Sequence, residues 1–309
     1  MKQVDPASEA LLKEKFRTRI SAHLVRHAST LPAAQAGALL AQFTPDVREL
    51  EEISGFSDDP LHEEDADIHP FADVVRKYRS KILYLATDEC PVYCRYCTRK
   101  RKTLLSNGHT ATELAAIGAY LEKNSEINEV IFSGGDPLML PASDLLARAR
   151  YFLSLPTVQF LRLHSRAVTT SPALVSEKIL SGLVELQQAY PQKQLSIVLH
   201  INLTSELSET ALQKIQALRS AGIPLYAQTV LLKDINDSAE ILAQLCMALI
   251  KTGVQPYYLH QLDRVTGSAH FEVGEDEGRR IYADLALRVP PYMLPRYVRD
   301  SKQGKYPLG

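Results

Sequence analysis

The chain has 309 residues, of which 45% are hydrophobic, and a formal net charge of −1 at pH 7. This size and composition allow a large buried core, as one barrel-sized domain or two smaller ones, and the near-neutral charge gives no reason to expect a nucleic-acid partner. No run of about 18 apolar residues exists and residues 1–6 lack an apolar signal core, so we expect a cytoplasmic protein without a membrane segment.

The first 79 residues have the composition of a polar helical extension. Apolar residues recur at mixed helical spacing over 7–23, and the stretch 31–43 is rich in Ala and Leu. The stretch 49–67 is acidic and contains the breaker Pro60, which is typical of a surface loop. We expect its carboxylates to face solvent rather than to form a binding site. We assign 1–79 to an N-terminal helical extension.

From Lys81 onward, short apolar runs alternate with helical stretches. The runs that predict buried strands are 82–87, 129–133, 160–164, 195–202, 225–232 and 255–262, and helices are predicted near 112–123, 206–220, 238–251 and 275–287. This alternation implies a parallel sheet with right-handed crossovers. Six strands are too few for a closed barrel, so we predict an α/β fold: a partial (β/α)6 TIM-like barrel over 80–290, followed by a short C-terminal segment, 291–309. The active site should lie at the carboxyl ends of the strands.

Directly after the first strand, three cysteines stand within eight residues. Cys90, Cys94 and Cys97 have the spacing CxxxCxxC, and the chain has one other cysteine, Cys246. Iron–sulfur clusters normally take four cysteine ligands. A loop that offers three leaves one iron open to chelate a small molecule through an amine and a carboxylate. The spacing therefore resembles that of radical S-adenosylmethionine enzymes, with a 4Fe–4S cluster.

Other fates of the three thiols have to be weighed against a cluster. A disulfide is disfavoured in a reducing compartment. Structural zinc needs four ligands, usually as two spaced pairs, and no second pair exists here. A fourth ligand from His109 or Cys246 stays open, although Cys246 lies in a helical apolar run that is typical of an inert buried thiol.

Polar residues also follow the other predicted strands. The second strand ends in Ser133-Gly134-Gly135-Asp136-Pro137, the third in His164-Ser165-Arg166, the fourth in His200 and Asn202, and the sixth in His260 and Asp263. The two glycines present a backbone without side chains, which can approach the ammonium group of S-adenosylmethionine closely. An ordinary strand-to-helix turn is the alternative interpretation of this stretch.

Taken together, five stretches resemble the lysine 2,3-aminomutase family. They are Cys-Arg-Tyr-Cys-Thr-Arg-Lys-Arg at 94–101, Ser-Gly-Gly-Asp-Pro-Leu at 133–138, Val-Leu-Leu-Lys-Asp-Ile-Asn-Asp at 230–237, Pro-Tyr-Tyr-Leu-His-Gln-Leu-Asp at 256–263 and Lys-Tyr-Pro-Leu at 305–308. The resemblance runs from about Val74 to the C-terminus. Within the family, the short C-terminus is similar to the bacterial member that supplies β-lysine for modifying elongation factor P.

The resemblance implies cofactor-binding residues. It implies that Cys90, Cys94 and Cys97 hold the cluster, and that S-adenosylmethionine binds near Ser133, Gly134, Gly135, Asp136, Arg166, His200 and Asn202. It also implies pyridoxal phosphate, held covalently by Lys305, which matches the family's lysine by its Lys-x-Pro-Leu context. Lys302 is a second candidate for that role. Lys77, Tyr78 and Lys81 match positions that contact the pyridoxal phosphate group, although a basic patch of this kind can equally be solvated.

The resemblance further implies how a substrate is recognised. Arg99 matches the family's carboxylate-binding arginine, and a guanidinium can bind a carboxylate through two hydrogen bonds. Asp263 and Asp300 match the two aspartates that hold a distal ammonium group. Two carboxylates in a closed pocket repel unless a cation lies between them, which favours a cationic substrate. Surface arginines and salt-bridged surface aspartates are the alternative interpretation for each of these residues taken singly.

The implied activity is that of an isomerase, which moves the α-amino group of L-lysine to C3 and gives β-lysine. The implied partners are the amino acid and an external one-electron donor, flavodoxin or ferredoxin. Because the chain ends four residues after Lys305, we expect a monomer or homodimer. The alternatives are the same chemistry on another amino acid, arginine first, a radical S-adenosylmethionine enzyme without pyridoxal phosphate, and a non-enzymatic zinc or iron–sulfur protein.

Overall fold

The computed structural model describes residues 6–100 and 110–309, and its centre is one nine-stranded sheet whose strands follow in sequence order. The strands are β1 (Val74–Val75), β2 (Lys81–Thr87), β3 (Glu129–Gly134), β4 (Phe160–Ser165), β5 (Gln194–His200), β6 (Leu225–Val230), β7 (Gln255–His260), β8 (Arg296–Ser301) and β9 (Gly304–Pro307). All neighbours from β2 to β8 are parallel, whereas β1 and β9 pair antiparallel at the two edges.

Ten α-helices accompany these strands in the described part of the chain. They are α1 (Pro6–Lys15), α2 (Ala22–Ala28), α3 (Ala33–Ala41), α4 (Ala111–Lys123), α5 (Ala142–Ser154), α6 (Ala167–Thr170), α7 (Glu177–Ala189), α8 (Glu209–Ser220), α9 (Ala239–Thr252) and α10 (Glu275–Arg288). None of the described helices combines the length and the apolar character needed to cross a bilayer.

The predicted α/β partial barrel is confirmed, and the six predicted strands are β2 to β7. The sheet continues beyond them through β8 and β9, which the apolar-run criterion missed. The reason is composition, because β8 reads Arg-Tyr-Val-Arg-Asp-Ser and buries only Tyr297 and Val298 fully. The segment 291–309 therefore extends the sheet, so that its residues reach the same strand-end edge as the rest of the barrel.

The main core lies between the strands and the helices that connect them. Leu, Ile and Val from β2 to β6 pack there against the apolar faces of α4, α5, α7 and α8. Tyr84, Phe132 and Phe152 form an edge-to-face aromatic cluster with ring centroids 5.0–5.6 Å apart. This packing fixes the strands relative to one another and so fixes the positions of their ends.

In the N-terminal extension, the stretch 7–23 with mixed helical spacing is divided between two helices, α1 and α2. It breaks after Lys15, and α2 begins at the N-cap Ser21, whose hydroxyl accepts a hydrogen bond from the Leu24 amide. The extension lies against the cysteine loop, residues 88–98, and pairs with its backbone. The Tyr93 amide donates to the Arg19 carbonyl at 3.0 Å, and the Arg95 amide donates to the Gln42 carbonyl at 2.9 Å.

The acidic stretch 49–67 is not uniformly solvated, and the expectation that its carboxylates face water is wrong for Glu49. The Glu49 side chain is fully buried and accepts two hydrogen bonds from Arg95, at 2.8 and 2.7 Å. Lys100 Nζ also donates a hydrogen bond to the Glu49 carboxylate, at 3.4 Å. A turn of 3-10 helix, Val47–Leu50, presents Glu49 in this way beneath the cysteine loop.

Replacing Arg95 by methionine should lower the free energy of unfolding by about 3–5 kcal/mol, because Glu49 then keeps a buried charge without its bidentate partner. Arg48→Met is a matched control, since it removes an exposed pair with Asp46 and should cost less than about 1 kcal/mol. Denaturant unfolding of both variants checks the difference. Equal losses in the two variants would contradict the structural role assigned to Glu49.

Candidate active site

The carboxyl ends of the parallel strands open onto a cavity of about 360 Å³. Of the residues that the sequence predicts for the site, all except Asn202 line this cavity. The lining residues from that set are Lys77, Tyr78, Lys81, Cys90, Cys94, Cys97, Arg99, Ser133, Gly134, Gly135, Asp136, Arg166, His200, Asp263, Asp300 and Lys305. The strand-end rule for barrels therefore brings together residues that lie up to 228 positions apart in the chain.

The three thiols of the cysteine loop are free and face this common space. Cys246 does not join them, because it lies in α9 and packs in a second apolar cluster with Leu242 and Leu259. His109, the other candidate for a fourth ligand, lies outside the described residues. Within the part of the chain that the structure describes, the loop thus offers three cysteines to a cluster.

The arrangement of the thiols is compatible with a 4Fe–4S cluster. Among residues 6–100 and 110–309, no three His, Cys, Asp or Glu side chains converge as ligands of one ion. In a 4Fe–4S cluster each cysteine binds a different iron, so the thiols need only surround a shared space. Burial, followed by the charge of Cys94, raises the pKa of Cys97, so binding of a metal there must displace a proton.

Hydrogen-bond donors already point at two of the sulfurs. The Arg99 amide donates to Cys97 Sγ at 3.4 Å, and Arg166 Nη1 donates to Cys94 Sγ at 3.3 Å. Donors and positive charge beside a sulfur stabilise its thiolate form, which is the form that binds metal. The residues present therefore fit an iron–sulfur cluster.

Gly134 and Gly135 hold the cysteine loop against the end of β3. The Gly135 amide donates to the Thr87 carbonyl at 2.6 Å, and Gly134 has φ +107°. A Cβ on Gly135 would lie 2.2 Å from the Glu89 carbonyl oxygen, so no other residue fits without moving the loop. The glycines line the cavity as predicted, and they also have this packing function, which the sequence did not reveal.

The Asp136 carboxylate serves as a brace between two strand ends. It accepts hydrogen bonds from the Ser165 hydroxyl at 2.9 and 3.0 Å and from the amides of Arg166 and Ala167 at 2.7 and 2.8 Å. It also caps the Leu138 amide at 3.1 Å. Both carboxylate oxygens of Asp136 therefore accept hydrogen bonds from the protein, and these bonds position the Gly-Gly turn and the end of β4.

Arg166 is the centre of a buried polar network behind the cysteine loop. Its guanidinium donates to Gln42 at 2.6 Å, pairs with Glu206 at 3.3 Å, and contacts Tyr96 and His200. Asn202 is fully buried in the same network, where its amide donates to Tyr96 and Gln42. Arg166 and His200 thus form the cavity wall, and Asn202 supports it from behind.

A basic and aromatic patch also lines the cavity. Lys81 Nζ lies 4.0 Å from the centre of the Tyr78 ring, and Lys77 Nζ donates to the Leu61 carbonyl at 2.5 Å. The Tyr78 hydroxyl accepts the Lys305 amide at 2.8 Å. Gly304, with φ +116°, lets the chain pass this ring, because a Cβ there would lie 2.8 Å from it. These cations and the lysine beside them fit a phosphate-bearing aldehyde such as pyridoxal phosphate.

Lys305 enters the cavity because the β8–β9 hairpin places it there. Asp300 and Lys305 are direct cross-strand partners, and Lys305 Nζ contacts both Asp300 oxygens at 2.8 and 2.6 Å. His260 Nδ1 approaches the same carboxylate at 3.2 Å. Lys302, the second candidate, is instead half-exposed and forms an ion pair with Asp65. Burial alone would raise the pKa of Asp300, but His260 and Lys305 outweigh it and hold that pKa well below its ordinary value.

Asp263 differs from the other carboxylates of the cavity. It is half-buried at the end of β7, and no side chain among the described residues forms an ion pair with it. Removal from water, followed by repulsion from Asp300, raises its pKa to about 8. Burial and the nearby negative charge thus favour the protonated form of Asp263 in the ligand-free protein.

Arg99 binds a carboxylate in the structure, and that carboxylate belongs to Glu63. The Arg99 guanidinium donates two hydrogen bonds to the Glu63 carboxylate, from Nε at 2.9 Å and from Nη2 at 2.7 Å. Glu63 lines the cavity, so the expectation that the acidic stretch is solvated is wrong here as well. Other lining residues outside the predicted set are Arg162, His164, Tyr257, Tyr258 and His260. His164 and His260 obey the strand-end rule, whereas Glu63 has no signal beyond its charge.

Comparison with protein families matches residues 84–246 to the radical SAM superfamily. The chain is 38% identical over 256 residues to L-lysine 2,3-aminomutase of Escherichia coli, a match that covers 82% of this chain and 72% of that protein. L-lysine 2,3-aminomutase of Haemophilus influenzae is 35% identical over 252 residues, with the same coverage of the two chains.

Among solved structures, this chain is similar in fold to Streptococcus suis SuiB bound to the precursor peptide SuiA. The TM-score is 0.52 at 15% sequence identity, and the match covers 69% of this chain and 46% of that chain. At this identity the likeness concerns the fold of the barrel alone.

Gly135→Ala should reduce the iron bound per chain after anaerobic reconstitution, because the new Cβ displaces the Glu89 carbonyl and with it the cysteine loop. The same clash should lower the free energy of unfolding by about 1–3 kcal/mol. Gly37→Ala in α3 is the control, since a Cβ there meets no atom within 4 Å and should stabilise the helix by up to about 1 kcal/mol. Full iron content in Gly135→Ala would rule out the packing function.

Asp263→Asn should stabilise the ligand-free protein increasingly as the pH rises from about 4 to about 8. The folded-state pKa of about 8 lies above the ordinary value of 3.8, so the folded protein holds a proton that the unfolded chain has lost. Wild-type stability falls through that window by at most about 1.4 kcal/mol per pH unit, and asparagine abolishes this loss. Denaturant unfolding across pH measures it, with Asp284→Asn on exposed α10 as the control. A gain that does not vary with pH would contradict the assignment.

Proposed function

The chain belongs to the lysine 2,3-aminomutase family of radical S-adenosylmethionine enzymes, and we propose that it moves the α-amino group of L-lysine to C3 to give β-lysine. Membership in the family makes it an isomerase of the radical aminomutase type. The superfamily implies a 4Fe–4S cluster and S-adenosylmethionine. Dependence on pyridoxal phosphate and lysine as the substrate are our proposals for this chain.

One observation carries the proposal most strongly: a single cavity holds every type of group that the reaction needs. Its lining includes the three thiols, Lys305 with the basic patch, and Arg99 with two aspartates. A cluster-binding protein without an aminomutase activity has no need for a recessed lysine or for paired carboxylates. A radical enzyme without pyridoxal phosphate has no need for Lys305 beside Tyr78, Lys77 and Lys81.

The substrate would be held at its two ends. Arg99 binds the α-carboxylate through its two-donor fork, as it binds Glu63 in the free protein. Asp263 and Asp300 receive the distal ammonium, which supplies the positive charge that Asp263 lacks. A substrate with a neutral or acidic side chain would leave the two carboxylates facing each other, at a cost in binding free energy.

The bound groups supply the reactive chemistry, and the chain positions them. Pyridoxal phosphate supplies a conjugated system through which an amino group can shift, and S-adenosylmethionine at an open iron supplies the carbon radical. Lys77 and Lys81 would hold the phosphate, and Lys305 would hold the aldehyde carbon. The enclosing barrel wall keeps water and stray hydrogen donors away from a radical. We propose a flavodoxin or ferredoxin as the source of the electron.

Lys305→Ala should abolish the near-ultraviolet to visible absorbance of covalently held pyridoxal phosphate, because Lys305 is the proposed point of attachment and the other two lysines of the cavity, Lys77 and Lys81, are the proposed phosphate ligands. Lys302→Ala is the matched control from the same hairpin. Its side chain is half-exposed and should be dispensable for this absorbance. Unchanged absorbance in Lys305→Ala, or its loss in Lys302→Ala, would place the cofactor elsewhere.

Anaerobic incubation of the reconstituted, reduced protein with a panel of amino acids tests the substrate. We expect β-lysine from L-lysine, much less product from arginine, and none from leucine or glutamate, since only a cation of matching length reaches Asp263. Products are identified by mass and chromatography. Turnover of neutral amino acids at a rate equal to that of lysine would refute the role of the two aspartates.

A further inference from the structure

The residue that binds the Arg99 guanidinium belongs to a segment that contributes to the lining of the cavity. We call this segment the strap and define it as residues 57–69. Leu61 and Glu63, near its middle, both line the cavity. The Glu63–Arg99 pair is recessed, with side-chain exposures of 9% and 17%, so it is not an ordinary surface ion pair.

The strap is fixed at its two ends. At one end, Ser57 pairs with the backbone of Arg264 and Thr266. At the other end, Ile68 packs in a small apolar cluster with Val75 and Leu85. Backbone pairing at one end and apolar packing at the other keep both ends in place when the middle of the segment moves.

The middle of the strap is held by polar contacts that water or a ligand can replace. The Asp59 carboxylate accepts the amides of Glu63 and Glu64, each at 2.8 Å, and Asp65 pairs with Lys302 on the β8–β9 hairpin. His62, between them, has φ +53°, a conformation that non-glycine residues seldom adopt. Small polar anchors and a strained turn favour a segment that can shift between two positions.

The strap contacts two cations of the cavity that could bind anionic ligands. Lys77 Nζ donates to the Leu61 carbonyl, and Arg99 binds the Glu63 carboxylate in the two-donor geometry that an amino acid would use. We propose that Glu63 is a built-in occupant of the Arg99 carboxylate site and that the amino-acid substrate binds by displacing it. The inference rests on the proposed function, because it takes Arg99 as the receptor of the substrate carboxylate.

Charge explains why displacement is required. With a substrate carboxylate on Arg99, a Glu63 that stayed in the cavity would be a recessed anion without its partner, near Asp263. Glu63 must therefore move outward with the middle of the strap. A ligand that has an ammonium group but no carboxylate cannot replace Glu63, so the strap selects for amino acids over simple amines. Only molecules in which the strap is open can bind substrate. The apparent affinity for every substrate is therefore the intrinsic affinity multiplied by the open fraction.

The test measures L-lysine binding without turnover. Wild type, Glu63→Gln and Glu63→Ala are loaded with pyridoxal phosphate and kept unreduced, and L-lysine is titrated while the absorbance of the bound pyridoxal phosphate is followed. Glu64→Gln is the matched control, because Glu64 is the exposed neighbour on the same strap. We expect both Glu63 variants to bind L-lysine at least about tenfold more tightly than wild type, as for a closed state populated to about 90%, and Glu64→Gln to match wild type.

Hydrogen exchange of the strap provides a second readout. Amides of residues 59–65 should exchange faster in wild type after L-lysine is added, and they should already exchange faster in ligand-free Glu63→Gln. Cadaverine, which has the two amines of lysine but no carboxylate, should not speed exchange in wild type.

Weaker or unchanged L-lysine binding in the Glu63 variants would overturn the inference, since Glu63 would then hold Arg99 in its binding orientation or have no influence on it. A wild type that binds no L-lysine contradicts the proposed function instead. In that case the ligand-free exchange decides the question for the strap: faster exchange in Glu63→Gln than in wild type supports a displaceable strap, and equal exchange overturns it.

Discussion

Charged side chains around this cavity are held away from bulk water, so each of them needs a partner of opposite charge. The structure meets that requirement with three pairs that join parts of the chain 36 or more positions apart, Arg95 with Glu49, Arg166 with Glu206 and Arg99 with Glu63, and with the pair of Lys305 and Asp300 inside the β8–β9 hairpin. Breaking such a pair is costly, so Arg95 with Glu49 and Arg99 with Glu63 hold the N-terminal extension against the barrel. Within the described chain Asp263 forms no ion pair, and the proposed function fills that position with the substrate.

The pairs also divide into those that support the site and those that a ligand exchanges. Arg95 and Arg166 lie behind the cysteine loop, where their partners are fully buried and nothing smaller than the protein can replace them. Arg99 and Lys305 face the cavity, where each pairs with a carboxylate, Glu63 and Asp300, and in the proposed function a ligand exchanges these contacts. The free protein is therefore balanced in charge before its substrate arrives. In the proposed function, substrate binding replaces these ion pairs with similar contacts, so most of the cavity is already formed in the free protein.

Much of this could be predicted from the sequence, for physical reasons that differ by element. Strands β2 to β7 are apolar runs, and Cys90, Cys94 and Cys97 stand at a spacing that few other functions need. Strand β8 is too polar to be recognised, and its position follows from pairing with β7 and β9. Glu49 and Glu63 looked like solvated acids, because a carboxylate's burial depends on which cation the fold brings to it. No local pattern records that partner when it lies 36 or more positions away.

The central claim is that the three cysteines hold a cluster with one open iron, at which S-adenosylmethionine binds. Mössbauer spectroscopy of protein reconstituted anaerobically with ⁵⁷Fe tests it most directly, because each iron of the cluster contributes its own signal. The account predicts that one iron in about four changes its spectrum when S-adenosylmethionine is added, while the others keep theirs. Protein that takes up no iron, or a cluster in which no iron responds to S-adenosylmethionine, would contradict it.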